Sequence, residues 1–185
     1  RDVYVGEKKV GVIIGERNHP NTDRVRSMRI SVESDIADEY MRKPAEMAPL
    51  SKELVHSIMD DGSVKLSKSM RELQRRWRNT VRIDENLYAP DEMEDRAVQD
   101  NQGNEVGVIV GLLKKKRTYR GVIVETRPSV QRDFGLPEKI NIPINAFSKT
   151  RESLDEVVLS RTISKLLTLP SYLQINGPNF DIDDE

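Results

Sequence analysis

The residues that could do chemistry are few. The chain holds two histidines, His19 and His56, and no cysteine. His19 lies in ERNHPNTDR (residues 16–24), flanked by Glu16 and Asp23, in the most polar stretch of the sequence. A carboxylate beside an imidazole can serve as a general base, and Glu, His and Asp together can hold a divalent metal. One imidazole with two loosely spaced carboxylates is nonetheless a thin ligand set, and Asn-His-Pro-Asn is ordinary turn composition. The stretch reads as a solvated hairpin loop. His56 has only Lys52 and Asp60 within helical reach and reads as a surface residue. Without cysteine, thiol catalysis, disulfides and thiolate zinc sites are excluded, which suits a reducing compartment. No catalytic residue, metal or cofactor is assigned, and the chain reads as a non-enzyme.

Charge is more informative than nucleophiles. MRELQRRWRNTVR (residues 70–82) sets Arg71, Arg75, Arg76, Arg78 and Arg82 against one acid, Glu72, beside an apolar stripe led by Trp77. Guanidinium groups grip phosphate in pairs, although long Arg stems also lie over apolar surface and pair with nearby acids. A second cluster, Lys114, Lys115, Lys116 and Arg117, is extended by Tyr119 and Arg120 and has a turn location. It could clamp a phosphate backbone or simply keep a hairpin tip soluble. Between them, DENLYAPDEMED (residues 84–95) holds six acids and no base. A basic helix beside an acidic loop predicts that the loop neutralises the helix, in the same subunit or in a neighbour. Isolated surface pairs of this kind set register and partner choice more than stability.

These groups need elements to hold them. VGVIIG (residues 10–15) returns as VGVIVG at residues 106–111. The spacing G-x-x-x-G matches no nucleotide loop, and no helix start follows it, so the motif reads as strand scaffold with close approach or a bulge. Each copy is followed by a basic turn and a returning strand, RVRSMRISVE and RTYRGVIVE, which predicts a duplicated hairpin. Between the hairpins, helices are expected after Ser34 (Ile36, Ala37, Tyr40, Met41), after Ser51 (Leu54, Val55, Ile58, Met59), and from the capping box Ser69–Glu72. The last two suggest a loose helix-turn-helix with too long a connection. Residues 84–104 read as a loop and 134–147 as a proline-bounded edge strand. A long helix is expected from Thr150 to Thr168, stopped by Pro170. Its apolar residues fall on two faces, Leu154, Val157 and Val158 against Leu159, Ile163, Leu166 and Leu167. The second face is the expected association surface.

The 185 residues carry 33% charged side chains, above the roughly 25% of typical domains, only 5% aromatics, and a net charge of −1. Bulk electrostatics therefore favours neither nucleic acid nor membrane, and no apolar run is long enough for a transmembrane helix. The absence of an initiator Met predicts a processed product or an excised fragment. The expected fold is α+β: an antiparallel sheet of two similar hairpin units (1–33 plus 104–170), a helical insertion with an acidic loop (34–103), a long C-terminal helix packed on the sheet, and an acidic tail (171–185). The expected function is a non-catalytic structural or assembly module acting through protein–protein association, with copies of itself or other subunits. It would work inside a cell or as a processed component of a virion. The alternative is a nucleic-acid-binding domain that uses the Arg-rich helix and the KKKR turn.

Overall fold

A computed structural model describes residues 1–18, 25–151, 156–178 and 180. The chain is α+β, and it divides into two compact units, Arg1–Glu92 and Met93–Glu185.

Unit 1 runs β1 (Asp2–Val5), β2 (Lys8–Asn18), β3 (Val25–Val32), α1 (Ser34–Tyr40), β4 (Met47–Leu50), a 3-10 turn (Lys52–Leu54), β5 (Val55–Ile58), β6 (Val64–Leu66), α2 (Met70–Arg78), β7 (Val81–Ile83), β8 (Asn86–Tyr88) and α3 (Pro90–Met93), which crosses the boundary. The strands form one sheet in the order β5-β6-β1-β2-β3-β4-β8-β7, with β1/β6 and β4/β8 parallel and the other neighbours antiparallel. Ile30, Leu50 and Val64 from the sheet, Ile36 from α1, and Leu73 and Trp77 from α2 meet in one buried cluster. The capping box places α2 as expected: the Ser69 hydroxyl accepts from the Glu72 amide, and Leu73 and Trp77, one turn apart, face inward. The Trp77 indole donates to the Pro49 carbonyl, so the ring is fixed as well as buried.

Unit 2 runs β9 (Ala97–Gln99), β10 (Glu105–Lys115), β11 (Thr118–Thr126), α4 (Pro128–Phe134), β12 (Lys139–Pro143), a 3-10 turn (Ile144–Ala146), β13 (Phe147–Arg151), β14 (Glu156–Leu159), α5 (Ile163–Leu166) and α6 (Pro170–Ile175). Its sheet order is β12-β11-β10-β9-β14-β13. Read from the other end, this is the order β5-β6-β1-β2-β3-β4 of unit 1, with the same parallel pair, here β9/β14. The registers agree as well. Gly11 faces Val32 and Gly15 faces Arg29, while Gly107 faces Thr126 and Gly111 faces Ile123. Each pairing slips by one residue between the glycines, and the extra residue, Ile14 in one and Val110 in the other, is exposed. A bulge at this point accommodates a run of three consecutive β-branched residues, since successive side chains point to opposite faces and the bulge turns the third outward.

The expected division of the chain differs from this one. Residues 34–92 are no helical insertion: they supply β4 to β8, in the same sheet as β1 to β3. Segments such as VKL, VRI and AVQ are three residues long and too short to show an alternation. The helix expected after Ser51 is a single 3-10 turn followed by β5, which removes the helix-turn-helix. Residues 84–104 contain β8, α3 and β9 rather than a loop. Neither sheet is purely antiparallel. The long helix from Thr150 to Thr168 is replaced by the end of β13, β14 and α5. Its two apolar faces have a simple origin: Val157, Val158 and Leu159 are all buried because β14 is an interior strand covered on both sides. Pro170 begins α6 instead of ending a helix, so residues 171–175 are helix and not acidic tail.

The edge strands β4 and β12 are covered differently in the two copies. In unit 1, β8 pairs alongside β4 at Met47 and Asn86. In unit 2, α6 packs beside β12: Asn141 and Asn176 exchange hydrogen bonds (2.9 and 2.7 Å), and the Ile175 side chain lies where a Cβ on Gly121 would be. Either cover satisfies polar groups that an open edge would leave to water or to another chain.

At Gly11 and Gly107 a Cβ would strike the carbonyl oxygens of Ser31 and Glu125, whereas nothing lies within 4 Å of one at Gly15. We expect Gly11→Ala and Gly107→Ala to cost about 1–3 kcal/mol each in urea unfolding, and Gly15→Ala less than about 1 kcal/mol.

Candidate interaction surfaces

The arginines of α2 do not act as one set. Arg71, Arg75, Arg76 and Arg78 are exposed, with Arg75 and Arg76 at 3.4 and 3.7 Å from Glu72 on the same helix. Arg82 lies beyond the helix in β7 and donates to the carbonyls of Lys43, Pro44 and Asp84. It closes a loop and is withdrawn from any partner. The KKKR cluster belongs to unit 2, not to the unit of the arginine helix.

The acidic segment is also spent locally. Asp84 and Glu85 form the two-residue turn between β7 and β8, with Asp84 in the left-handed region (φ 56°). The Glu85 carboxyl is held above its usual range, chiefly by a hydrogen bond and charge repulsion from the Glu46 carboxyl beside it. Glu92 is fully buried, but its arginine is Arg29 of β3, not one from α2. Their side chains meet at 3.1 Å, the Arg29 guanidinium donates to the Leu87 carbonyl at 3.0 Å, and Glu92 accepts from the Ala89 amide at 2.9 Å. The guanidinium also lies 3.9 Å from the centre of the Tyr88 ring. A buried pair held by this many bonds is costly to break from one side, and it ties β8 and α3 to β3.

Of the expected association residues, Leu159, Ile163 and Leu166 are buried inside unit 2 and Leu167 is half-buried. They form core, so the association surface expected there is absent. His19 and Asp23 lie outside the described residues, and His56 is exposed on β5. Among the described residues no group of three or more His, Asp or Glu side chains is arranged to hold a metal ion, and no helix is long and apolar enough to cross a membrane.

Sequence reasoning missed a groove in unit 1. It has a volume of ≈720 Å³ and is lined by Ile13, Ile14 and Glu16 of β2, Met28 of β3, and Val55 and Ile58 of β5, with Arg1 and Lys52 nearby. Ile14 and Ile58 are 48% and 59% exposed. The one available signal was Ile14, the third apolar residue in a row in VGVIIG. In unit 2 the shared register places Leu112, Ile144 and Phe147 where unit 1 has Glu16, Lys52 and Val55: Leu112 faces Val122 as Glu16 faces Met28, and Phe147 faces Leu159 as Val55 faces Leu66. Phe147 is buried, and its copy Val55 only partly so.

The KKKR cluster forms the tip of the β10–β11 hairpin. Lys115 pairs with Thr118, so Lys116 and Arg117 are the whole turn, and both are left-handed (φ 52° and 66°). Such turns ordinarily take Asn-Gly, because a Cβ is strained there. Lys114 lies 4.7 Å from the Tyr119 ring centre and Lys115 lies 5.3 Å from that of Phe180.

No family model matches the chain and no curated protein is similar to it. Among solved structures it is similar to the crystal structure of a Pseudomonas aeruginosa protein described as a 16S ribosomal RNA processing protein, RimM. The identity is 13%, the match covers 81% of this chain and 92% of that one, and the TM-score is 0.32. A superposition this loose carries no argument about either fold or function.

Because Lys116 and Arg117 occupy a turn that suits other residues, the double change Lys116→Asn, Arg117→Gly is expected to stabilise unit 2. A gain of about 1 kcal/mol corresponds to a rise of roughly 4–8 °C in the melting midpoint, readable by calorimetry.

Proposed function

We propose that this chain is a non-catalytic assembly module built from two copies of one hairpin-based frame, and that it associates with other protein surfaces, first of all with copies of itself. The observation that carries this reading is the unit 1 groove. An apolar trough lined by Ile14 and Ile58 is unfavourable in water and is stabilised when a partner side chain fills it. The frame does not require it, since the other copy carries larger or more apolar residues at the same corners. The rim bears both signs of charge, Arg1 and Lys52 with Glu16, and the whole chain has a net charge of only −1, so copies meet without strong repulsion. A charged groove rim would set the register of docking, and the apolar floor would supply the affinity.

Light scattering across a range of protein concentrations tests this reading. The native chain should grow in mass as concentration rises, and Ile14→Asp or Ile58→Asp should abolish the growth. Both side chains are exposed, so thermal unfolding of either variant should stay within about 0.5 kcal/mol of native. A chain that stays monomeric throughout, or variants that still associate, would remove the proposal.

A further inference from the structure

The β10–β11 hairpin outgrows its own sheet. β9 pairs with β10 only from Glu105 to Val108, and β12 pairs with β11 only from Gly121 to Glu125. Residues 114–120 therefore form a two-stranded ribbon with no further strand on either side among the described residues. Its residues are Lys114, Lys115, Lys116, Arg117, Thr118, Tyr119 and Arg120, five cations in seven positions. A register slip after Leu113 leaves Arg120 without a cross-strand partner, and its side chain is exposed, as are those of Lys116 and Arg117.

We propose that this ribbon binds the backbone of single-stranded nucleic acid, as a surface separate from the unit 1 groove. Solubility alone would be served by lysines on the strands and an Asn-Gly turn, without left-handed strain at two basic residues. Strain kept at a position where another pair fits better points to a use for the side chains themselves. Guanidinium and ammonium groups along a ribbon suit successive phosphates. Two aromatic rings, Tyr119 and Phe180, stand within the same cluster, each beside a lysine, and neither is fully buried. Cations that track a backbone, interleaved with rings on which unpaired bases stack, are the combination that single strands select. A duplex hides its bases from such rings, and an acidic peptide has none to offer. The four carboxylates that follow Phe180 in sequence oppose a polyanion, so a chain ending at Phe180 should bind more tightly than the full one.

The test is fluorescence anisotropy of the full chain with a labelled single-stranded RNA of about 20 nucleotides, longer than the roughly 4–16 that one such surface covers. Four phosphate contacts, from Lys115, Lys116, Arg117 and Arg120, predict a roughly fiftyfold loss of affinity between about 50 and about 200 mM salt. Lys116→Asn, Arg117→Gly should reduce that loss to roughly sevenfold, since two contacts remain, while leaving the protein folded. Ile58→Asp should leave RNA affinity unchanged, which separates this surface from the groove. Affinity insensitive to salt, equal binding of a duplex of the same sequence, or a turn variant that binds like native would each overturn the proposal.

Discussion

The close approach of two backbones at Gly11 and again at Gly107 is the constraint from which the rest follows. Any side chain there would occupy the space of the facing carbonyl oxygen, so only glycine lets β2 lie against β3 and β10 against β11 in these registers. Once that register is set, a bulge before the second glycine is what reconciles a strand with three consecutive β-branched residues. It turns Ile14 and Val110 to the surface and keeps Val10 and Val106 inside. The glycines thus act on scaffold geometry, and the apolar residue that the bulge exposes is what gives unit 1 a candidate surface.

With the frame fixed twice, the two units diverge where the frame permits it. Beyond β4 the chain adds the β7–β8 hairpin and the buried Arg29–Glu92 pair. Beyond β12 it adds α6, bonded through Asn141 and Asn176. The two surfaces read as functional belong to this second layer of differences. Glu16, Lys52 and Val55 keep an opening in unit 1 at corners that carry Leu112, Ile144 and Phe147 in unit 2. The β10–β11 ribbon gathers cations beyond the reach of β9 and β12.

What could be read beforehand followed the strength of local signals. The two glycine motifs, the returning strands and the capped α2 were legible because each combines several residues of one tendency. β6, β7 and β9 were not, because three residues hold no period, and β14 was mistaken for helix because a strand buried on both faces has no polar side to mark it. That one error moved the expected association surface onto Leu159, Ile163 and Leu166, which are core. The buried partner of Glu92 was equally invisible: Arg29 is 63 residues away and looks like any other strand-borne charge. The groove depends on which side chains line three strands that are distant in sequence, and a single sequence does not display that.

The central claim is that unit 1 holds open a docking groove which the shared frame can do without. Its most direct test is to give unit 1 the residues of unit 2 at the three corners, Glu16→Leu, Lys52→Ile and Val55→Phe together, and to measure mass by light scattering alongside thermal unfolding. A folded chain of undiminished stability that has lost its concentration-dependent association is the predicted result. Association that persists with the corners filled would contradict it.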